Sequence, residues 1–417
     1  GQAIKLLRVA LKNHMLASRP VVAPIMEALR RVLEPVSSRT GTTPSPNAET
    51  IAEQNILRAL SYKRNLPPND RDALSIHIRQ QVIPAVRSFY EFLVSEYFPL
   101  CPEQASLASW HNGRGLYAEL VKRYTTTTES PESVELYGVQ RVAELKPQVN
   151  VSAGAVFSSP DAMLEAYKRT LARVQQLLPT VVKPAPDLKL NVQPVKEGPT
   201  ARFMVPGIGQ TGSAIFVNVA NPHEHPLSEV VPLVLHEGVP GHALQSAFAQ
   251  HPSITPLLSQ LELFYTNGNA YVEGWALYAE SLGSDMHLYQ DSGSQAGYLR
   301  LQLVRAARVV VDTGICRHNW SSDRAKAYFA RVTGEPDDQV KEEISRTVWP
   351  GSQLAYLVGQ QQFEILRETA QRKVGAAFDP ARFHSVVLSW GPLPLAVLAH
   401  RMDDCLDEPE CRADLTR

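Results

Sequence analysis

Residues 234–245 read Val234-Leu235-His236-Glu237-Gly238-Val239-Pro240-Gly241-His242-Ala243-Leu244-Gln245. Two imidazoles bracket a carboxylate directly after an apolar run. Histidine nitrogens are the commonest metal ligands, and a carboxylate beside the first can act as a base toward water activated by a zinc ion. The usual spacing for such a pair is H-E-x-x-H, because residues four apart share one face of a helix. Here the histidines stand six apart. At about 100° per residue, a regular helix would turn His242 about 120° away from His236. Pro240 and Gly241 supply a distortion: proline removes a backbone donor and clashes with the preceding turn, while glycine accepts unusual backbone geometry. The expectation is a bulged helical turn that absorbs two extra residues and returns His242 to the face of His236. The competing reading is an ordinary helix or turn carrying two unrelated histidines.

A second stretch bears on that choice. Ala270-Tyr271-Val272-Glu273-Gly274-Trp275-Ala276-Leu277-Tyr278-Ala279-Glu280 follows about 30 residues downstream. Its Val272–Ala276 portion resembles the N-E-G-F-A context in which aminopeptidases of the glutamate-zincin group place a third, carboxylate ligand on the helix after the histidine helix. Taken alone it would read as a core helix with Trp275 and Tyr278 packed inside. The two segments together, in this order, predict a metal site.

The bulk properties restrict the alternatives. A chain of 417 residues buries a sizeable core and suggests two or three domains. Apolar content of 44% and charged content of 20% are ordinary for a globular protein. A formal net charge of −1 gives no electrostatic reason to propose nucleic acid as a partner. No apolar run approaches the roughly 18 residues of a membrane span. The chain opens Gly1-Gln2 without methionine and reads as a processed or trimmed product, so cytoplasmic and exported locations both stay open. Cys101, Cys316, Cys405 and Cys411 lack zinc-finger spacing; Cys405 and Cys411 either close a small C-terminal loop or remain thiols.

Patterning predicts a mainly α protein with a small β-sheet (α+β). Residues 4–35 read as a helix, Ser37–Asn47 as a linker, and 48–98 as a helical region broken near Pro67-Pro68. Ser130-Pro131 and Ser159-Pro160 read as helix starts. Residues 188–195, 201–205 and 213–219 are the strand-like segments, and their edge is suited to pairing with an extended peptide. His223 and His225 are loop histidines, not ligands. Residues 296–316 form a long helix on which Arg305, Arg308, Asp312 and Cys316 share one face; such groups are costly to bury unpaired, so the face is either solvated or set into a polar cleft, and the cleft is the expectation. The division expected is a helical N-terminal region, 1–180, and a catalytic region, 181–417.

With these motifs quoted, most of the chain from about Gly113 to Ala399 resembles the bacterial domain of unknown function 885 family, a set of proteins expected to be zinc metallopeptidases. The likeness rests on His236-Glu237-x-x-Pro240-Gly241-His242, Glu273-Gly274-Trp275-Ala276-Leu277-Tyr278-Ala279-Glu280, and Arg305-Ala306-Ala307-Arg308-Val309-Val310-Val311-Asp312-Thr313-Gly314. Pro350-Gly351-x-Gln353-Leu354-Ala355-Tyr356, Phe383-His384 and Pro392-Leu393-Pro394-Leu395 add to it. The resemblance implies a glutamate-zincin-like core behind a helical N-terminal portion, and no particular substrate. Two departures stand out: Cys316 where family members usually carry histidine, with His318 two residues on, and Trp349 in Arg346-Thr347-Val348-Trp349 where a tyrosine is usual after the arginine.

The resulting expectation is one Zn²⁺ held by His236, His242 and Glu273, with Glu237 as general base. Glu280, two turns after Glu273, is expected to hold a ligating histidine, with the alternative that it supplies the third ligand itself. Arg308, Tyr356 and His384 are candidates for stabilising an oxyanion or gripping a substrate carboxylate, and Asp312 for orienting a ligand or Arg308. The substrate expected is a peptide or small amide. Alternatives are hydrolysis of a non-peptide metabolite, or a binding protein whose site has decayed.

Overall fold

The computed structural model describes residues 1–33, 53, 56, 68–103, 106–149, 154–204, 213–249 and 269–416; the Ser37–Asn47 linker lies outside them. The chain divides into two compact units, one from Gly1–Gly113 with Gly207–Gln210, the other from Arg114–Pro206 and Thr211–Arg417. In the first unit, α1 (Gln2–Lys12), α2 (Arg19–Leu33), α3 (Pro68–His77) and α4 (Ile83–Phe92) are amphipathic helices. Val22, Phe92, Leu93, Tyr97 and Cys101 form its main apolar cluster, with Leu7, Leu11 and Leu29 packed against them. The segment read as one helix over 4–35 is broken here: the chain turns at His14, whose φ is 55°, and α2 starts beyond it with Pro20 in its first turn.

The second unit begins with α5 (Gly113–Thr125), α6 (Pro131–Leu145) and α7 (Pro160–Leu177). Ser130 and Ser159 cap the latter two, each hydroxyl accepting a backbone N–H three residues on. Residues 114–180, grouped with the N-terminal region on sequence, therefore sit with the histidine and glutamate motifs. The physical reason is packing. α6 lies so close to the long helix that follows that a Cβ on Gly138 would come within 2.7 Å of Val309.

Three strands come next: β1 (Leu190–Val195), β2 (Ala201–Met204) and β3 (Ser213–Asn218), in the spatial order β1-β3-β2. β1 runs parallel to β3, with Leu190 opposite Ser213; β2 runs antiparallel to β3, with Ala201 opposite Val217. The histidine segment follows as α8 (Val230–Glu237) and α9 (His242–Ala249). α10 (Asn269–Asp285), α11 (Ser292–Cys316), α12 (Ser322–Thr333), α13 (Asp337–Ser345), α14 (Leu354–Val374), α15 (Pro380–Ser389), α16 (Leu395–Asp407) and α17 (Pro409–Asp414) complete the unit. Cys405 and Cys411 are joined by a disulfide between the last two helices. Among the described residues the protein is mainly helical with one small sheet.

α10 carries Glu273 and Glu280, and its position is set by α14. The two helices cross at Gly274 and Gly359, where a Cβ on Gly274 would stand 2.2 Å from the Gly359 Cα. Only a missing side chain allows that approach. Gly274→Ala is expected to force the helices apart and destabilise the protein by about 1–3 kcal/mol, the usual cost of overpacking. Gly154→Ala, whose new methyl would meet nothing closer than 3.9 Å, should be near neutral. Equilibrium unfolding of both variants in urea measures the difference.

Candidate metal centre

The two histidines do not meet on a bulged helix. α8 ends at Glu237, four residues turn the chain, and α9 starts at His242. The turn is compact because it lacks side chains where it doubles back. A Cβ on Gly241 would lie 2.0 Å from the His236 carbonyl oxygen, and one on Gly238 2.6 Å from that of Val234. The Gly238 carbonyl accepts from Ala243 N at 3.0 Å, which fixes the first turn of α9. The buried Trp275 Nε1–H of α10 donates to the Pro240 carbonyl at 2.8 Å. That bond ties the turn between the histidines to the helix that carries Glu273.

The consequence is convergence. His236 Nε2 and His242 Nε2 lie 3.6 and 3.5 Å from Glu273 Oε2, and one ligand atom from each residue falls within 4.8 Å of the others. Zinc bonds of about 2.0–2.1 Å at a tetrahedral centre put neighbouring ligand atoms roughly 3.3 Å apart. Two of the three separations are close to that value. The other ring nitrogen of His236, Nδ1, is 2.8 Å from Glu280 Oε1. With Nδ1–H donating there, Nε2 keeps its lone pair toward Glu273 and His242. Glu280 is fully buried on the far side of the imidazole, and Gln302 Nε2 donates to its second oxygen at 3.3 Å. In this geometry Glu273 faces both Nε2 atoms and Glu280 backs His236.

The electrostatics suit a cation. Burial works against a charged imidazole at His236, yet Glu273, Glu280 and Glu237 outweigh it and carry His236 up to about 9. Burial likewise acts to raise Glu273, and the two histidines override it, holding the carboxyl well below its ordinary range. Three carboxylates that draw His236 toward its cationic form, beside a Glu273 held ionised, mark a buried corner of negative potential in which a divalent ion can take the place of the proton.

This corner is the floor of a cleft of about 670 Å³, whose walls include Gly198–Phe203, Glu229, Arg300, Arg305, Arg308, Glu343 and Tyr356. Glu237 also lines it, and its Oε2 accepts the Phe203 backbone N–H of β2 at 2.6 Å. The register explains why that N–H is available. Thr200 O accepts from Asn218 N, so residues 200 and 202 face β3, while 201 and 203 turn their polar groups outward. β2 thus presents an edge to the cleft, with Glu237 attached at Phe203.

The other predicted residues are placed differently from one another. Arg308 reaches the cleft, but its Nε and Nη2 form a two-point ion pair with Glu343, the second contact at 2.7 Å. Its guanidinium lies 5.9 Å from the centre of the Tyr356 ring. Tyr356 lines the cleft, and burial followed by the charge of Glu273 pushes its phenol upward. His384 is not in the cleft. It is fully buried behind Trp275, its Nδ1 2.6 Å from Val181 O and its Nε2 2.8 Å from Tyr278 Oη, and burial lowers it to about 4. Both ring nitrogens are already used in packing. Asp312 orients neither a ligand nor Arg308: its Oδ1 accepts from Tyr117 Oη at 2.6 Å and Gly351 N at 2.9 Å. Cys316 is buried and His318 pairs with Glu135 at 2.8 Å, so neither lines the cleft. His225 sits at its wall, 3.4 Å from Thr200 Oγ1, outside the cluster of three. Arg346 lines the cleft and pairs with Glu342 at 3.0 Å, whereas Trp349 is exposed.

Sequence reasoning missed the ion-paired wall of the cleft. Arg300 bridges Glu229, before α8, and Glu335, before α13, the latter at 2.6 Å. No local spacing links these three residues. It also missed Phe203, whose contribution is a backbone N–H.

Residues 1–402 match the family described as "Bacterial protein of unknown function (DUF885)". The chain belongs to that family. No curated protein matches it. Among solved structures it is similar to "the putative lipoprotein from Colwellia psychrerythraea", with a TM-score of 0.79 and 23% identity over 97% of this chain and 73% of that one. It is also similar to "a putative lipoprotein of unknown function from Shewanella oneidensis", with a TM-score of 0.56 and 16% identity over 90% and 69% of the two chains. At these identities the likeness is one of fold. No helix among the described residues is long and apolar enough to cross a membrane.

Asp312 makes a clear test of burial in this family member. Burial pushes its carboxyl up to about 7, against the two hydrogen bonds it accepts. An unfolded aspartate titrates near 3.9, so between about pH 4 and 7 the folded state binds the extra proton and stability falls as pH rises. Asp312→Asn should remove this component. The expected result is a wild-type-minus-variant stability difference that declines from pH 5 to pH 7.5, measured by urea unfolding.

Proposed function

We propose that the protein is a zinc-dependent hydrolase, a metallopeptidase that cleaves short peptides. The observation that carries this reading is the convergence of His236 Nε2 and His242 Nε2 on Glu273 Oε2, at 3.6 and 3.5 Å, beside Glu237 at the floor of one cleft. His236, His242 and Glu273 hold the ion, and Glu280 fixes the His236 ring through Nδ1. When bound, zinc supplies Lewis acidity that polarises a carbonyl and acidifies water. Glu237 takes the proton of the attacking water on one carboxylate oxygen and delivers it to the departing amine. The Phe203 N–H on Oε2 keeps that carboxylate aimed. Tyr356, beside Glu273 and Arg308, donates to the developing oxyanion.

A peptide suits the cleft better than a compact metabolite because one wall is a strand edge. The outward-facing backbone groups of Ala201 and the carbonyl of Phe203, whose N–H already serves Glu237, can pair with an extended chain, which binds main chain irrespective of side-chain identity. Arg300 with Glu229 and Glu335, and Arg308 with Glu343, hold the opposite wall in fixed form.

Metal analysis by mass spectrometry is the direct test. The purified protein should carry about one zinc per chain, and His242→Ala and Glu273→Ala should each lose it. A wild-type protein that takes up no zinc on reconstitution refutes the proposal. Glu237→Gln should keep the metal and lose roughly 10²- to 10⁴-fold in turnover of any peptide that the wild type cleaves. Glu280→Gln should keep the fold and weaken zinc affinity by about 10- to 100-fold, measured by competition with a chelator.

A further inference from the structure

Among the described residues five arginines line the cleft, and their partners divide them. Arg300 is taken by Glu229 and Glu335, Arg308 by Glu343, and Arg346 by Glu342 and Glu343. Arg202, on β2, lies over the Phe216 ring, and its Nε is also buried without a hydrogen-bond partner. Arg305 is the exception on the α11 wall. Its side chain is 9% exposed, it makes no hydrogen bond among the described residues, and its Nε is buried without a partner. Its ion contact is Glu280 Oε1 at 3.8 Å, an oxygen already bonded to His236 Nδ1 at 2.8 Å. A guanidinium presents five donors in a planar fork that matches a carboxylate, and burying one with those donors unused is costly. Among the described residues no carboxylate other than Glu280 pairs with it.

We infer that Arg305 is the receptor for the terminal carboxylate of a peptide substrate, so that the protein works from the carboxyl end of short peptides. This rests on the metallopeptidase reading for the chemistry, though not for the binding. Arg305 contacts Glu280, which backs the ligand His236, so the fork lies close behind the metal corner. One residue of extended chain spans about 3.3–3.6 Å, so a carboxylate only a residue or two beyond the scissile carbonyl stays within this part of the cleft. Glu229, Glu335, Glu342 and Glu343 on the α11-side wall take up Arg300, Arg308 and Arg346, so Arg305 is the one guanidinium of that wall without a glutamate of its own. An anionic end group therefore has one complementary position there. The ion pair of Arg308 with Glu343 leaves that neighbour unavailable, which assigns the role to Arg305 rather than to the arginine one turn on.

The experiment compares a set of short peptides, each as the C-terminal acid and as the C-terminal amide. Binding is measured by calorimetry on zinc-loaded Glu237→Gln protein, and hydrolysis on zinc-loaded wild type. The acid form should bind about 10- to 100-fold more tightly than the amide, the range of a charge-assisted pair in a buried site. In the Glu237→Gln background, Arg305→Met should abolish the difference while zinc content stays unchanged, and Arg305→Lys should keep part of it. Equal binding of acid and amide, no binding of any acid, or an acid preference that survives Arg305→Met overturns the inference. So does an Arg305→Met protein whose one change is lost zinc, because Arg305 then serves only as the counter-charge to Glu280. Should Arg305→Met fail to fold, the acid-to-amide ratio of the parent protein and of Arg305→Lys still decides. The two readings separate cleanly: acid-selective binding without turnover removes the peptidase and keeps the receptor, while equal turnover of acids and amides does the reverse.

Discussion

The packing of the 238–241 turn against α10 is the constraint on which the rest of the site depends. Trp275 donates its indole N–H to the Pro240 carbonyl, and Gly241 lets the chain pass against the His236 carbonyl with no room for a methyl group. A backbone carbonyl in a buried turn must find a donor, and an indole has only one to give. The match fixes the depth and rotation of α10 relative to the turn. Glu273 stands two residues before Trp275, so the bond that satisfies Pro240 also delivers the carboxylate between the two histidines. On the other side of Trp275, Phe363 and His384 pack edge-on at 5.2 and 5.9 Å. His384 belongs to this supporting layer, which explains why a histidine from a recognisable motif lies outside the cleft.

The charges around the corner are balanced as a set. Glu237, Glu273 and Glu280 outnumber His236 and His242, and the excess negative potential is what draws His236 upward. Isolated buried carboxylates would be expensive, so each one is engaged: Glu273 by two imidazoles, Glu280 by His236 and Gln302, Glu237 by a strand N–H. A cation at the centre would relieve the remaining imbalance. Arg305 contributes from one side only, at 3.8 Å, and leaves much of its donor capacity unspent.

How much of this was legible in the sequence follows from which interactions are local. The caps at Ser130 and Ser159, the three strands and the mainly helical class were readable because turn chemistry and alternation act over a few residues. The candidate set His236, His242, Glu273 was readable as spacing plus order. Its mechanism of convergence was not: a bulged helix was expected, and two helices joined by a four-residue turn were found, because the close contacts of Gly238 and Gly241 are with carbonyls of the preceding turn and end α8 outright. Asp312 was misread for a related reason. On the helix it shares a face with Arg305 and Arg308, but Tyr117 and the Gly351 N–H claim it from other elements. The Arg300 bridge joins residues 71 and 35 positions away, and periodicity carries no trace of such contacts.

The bond from Phe203 N–H to Glu237 connects the two halves of the proposed mechanism. An extended chain laid along β2 would seek the same outward backbone groups that the edge offers, and one of them is already committed to Glu237, the proposed base. Strand pairing and base positioning are therefore coupled through a single N–H. A chain that pairs at residue 201 leaves Glu237 held, whereas one that slides by a pair of residues to take the Phe203 N–H releases it. Because side chains alternate with period two along a strand, such a slip preserves the faces of the substrate and changes only its position along the cleft. The edge thus favours one register for reasons that lie in the base rather than in side-chain pockets. A carboxylate anchored at the far end would fix that same register from the other direction.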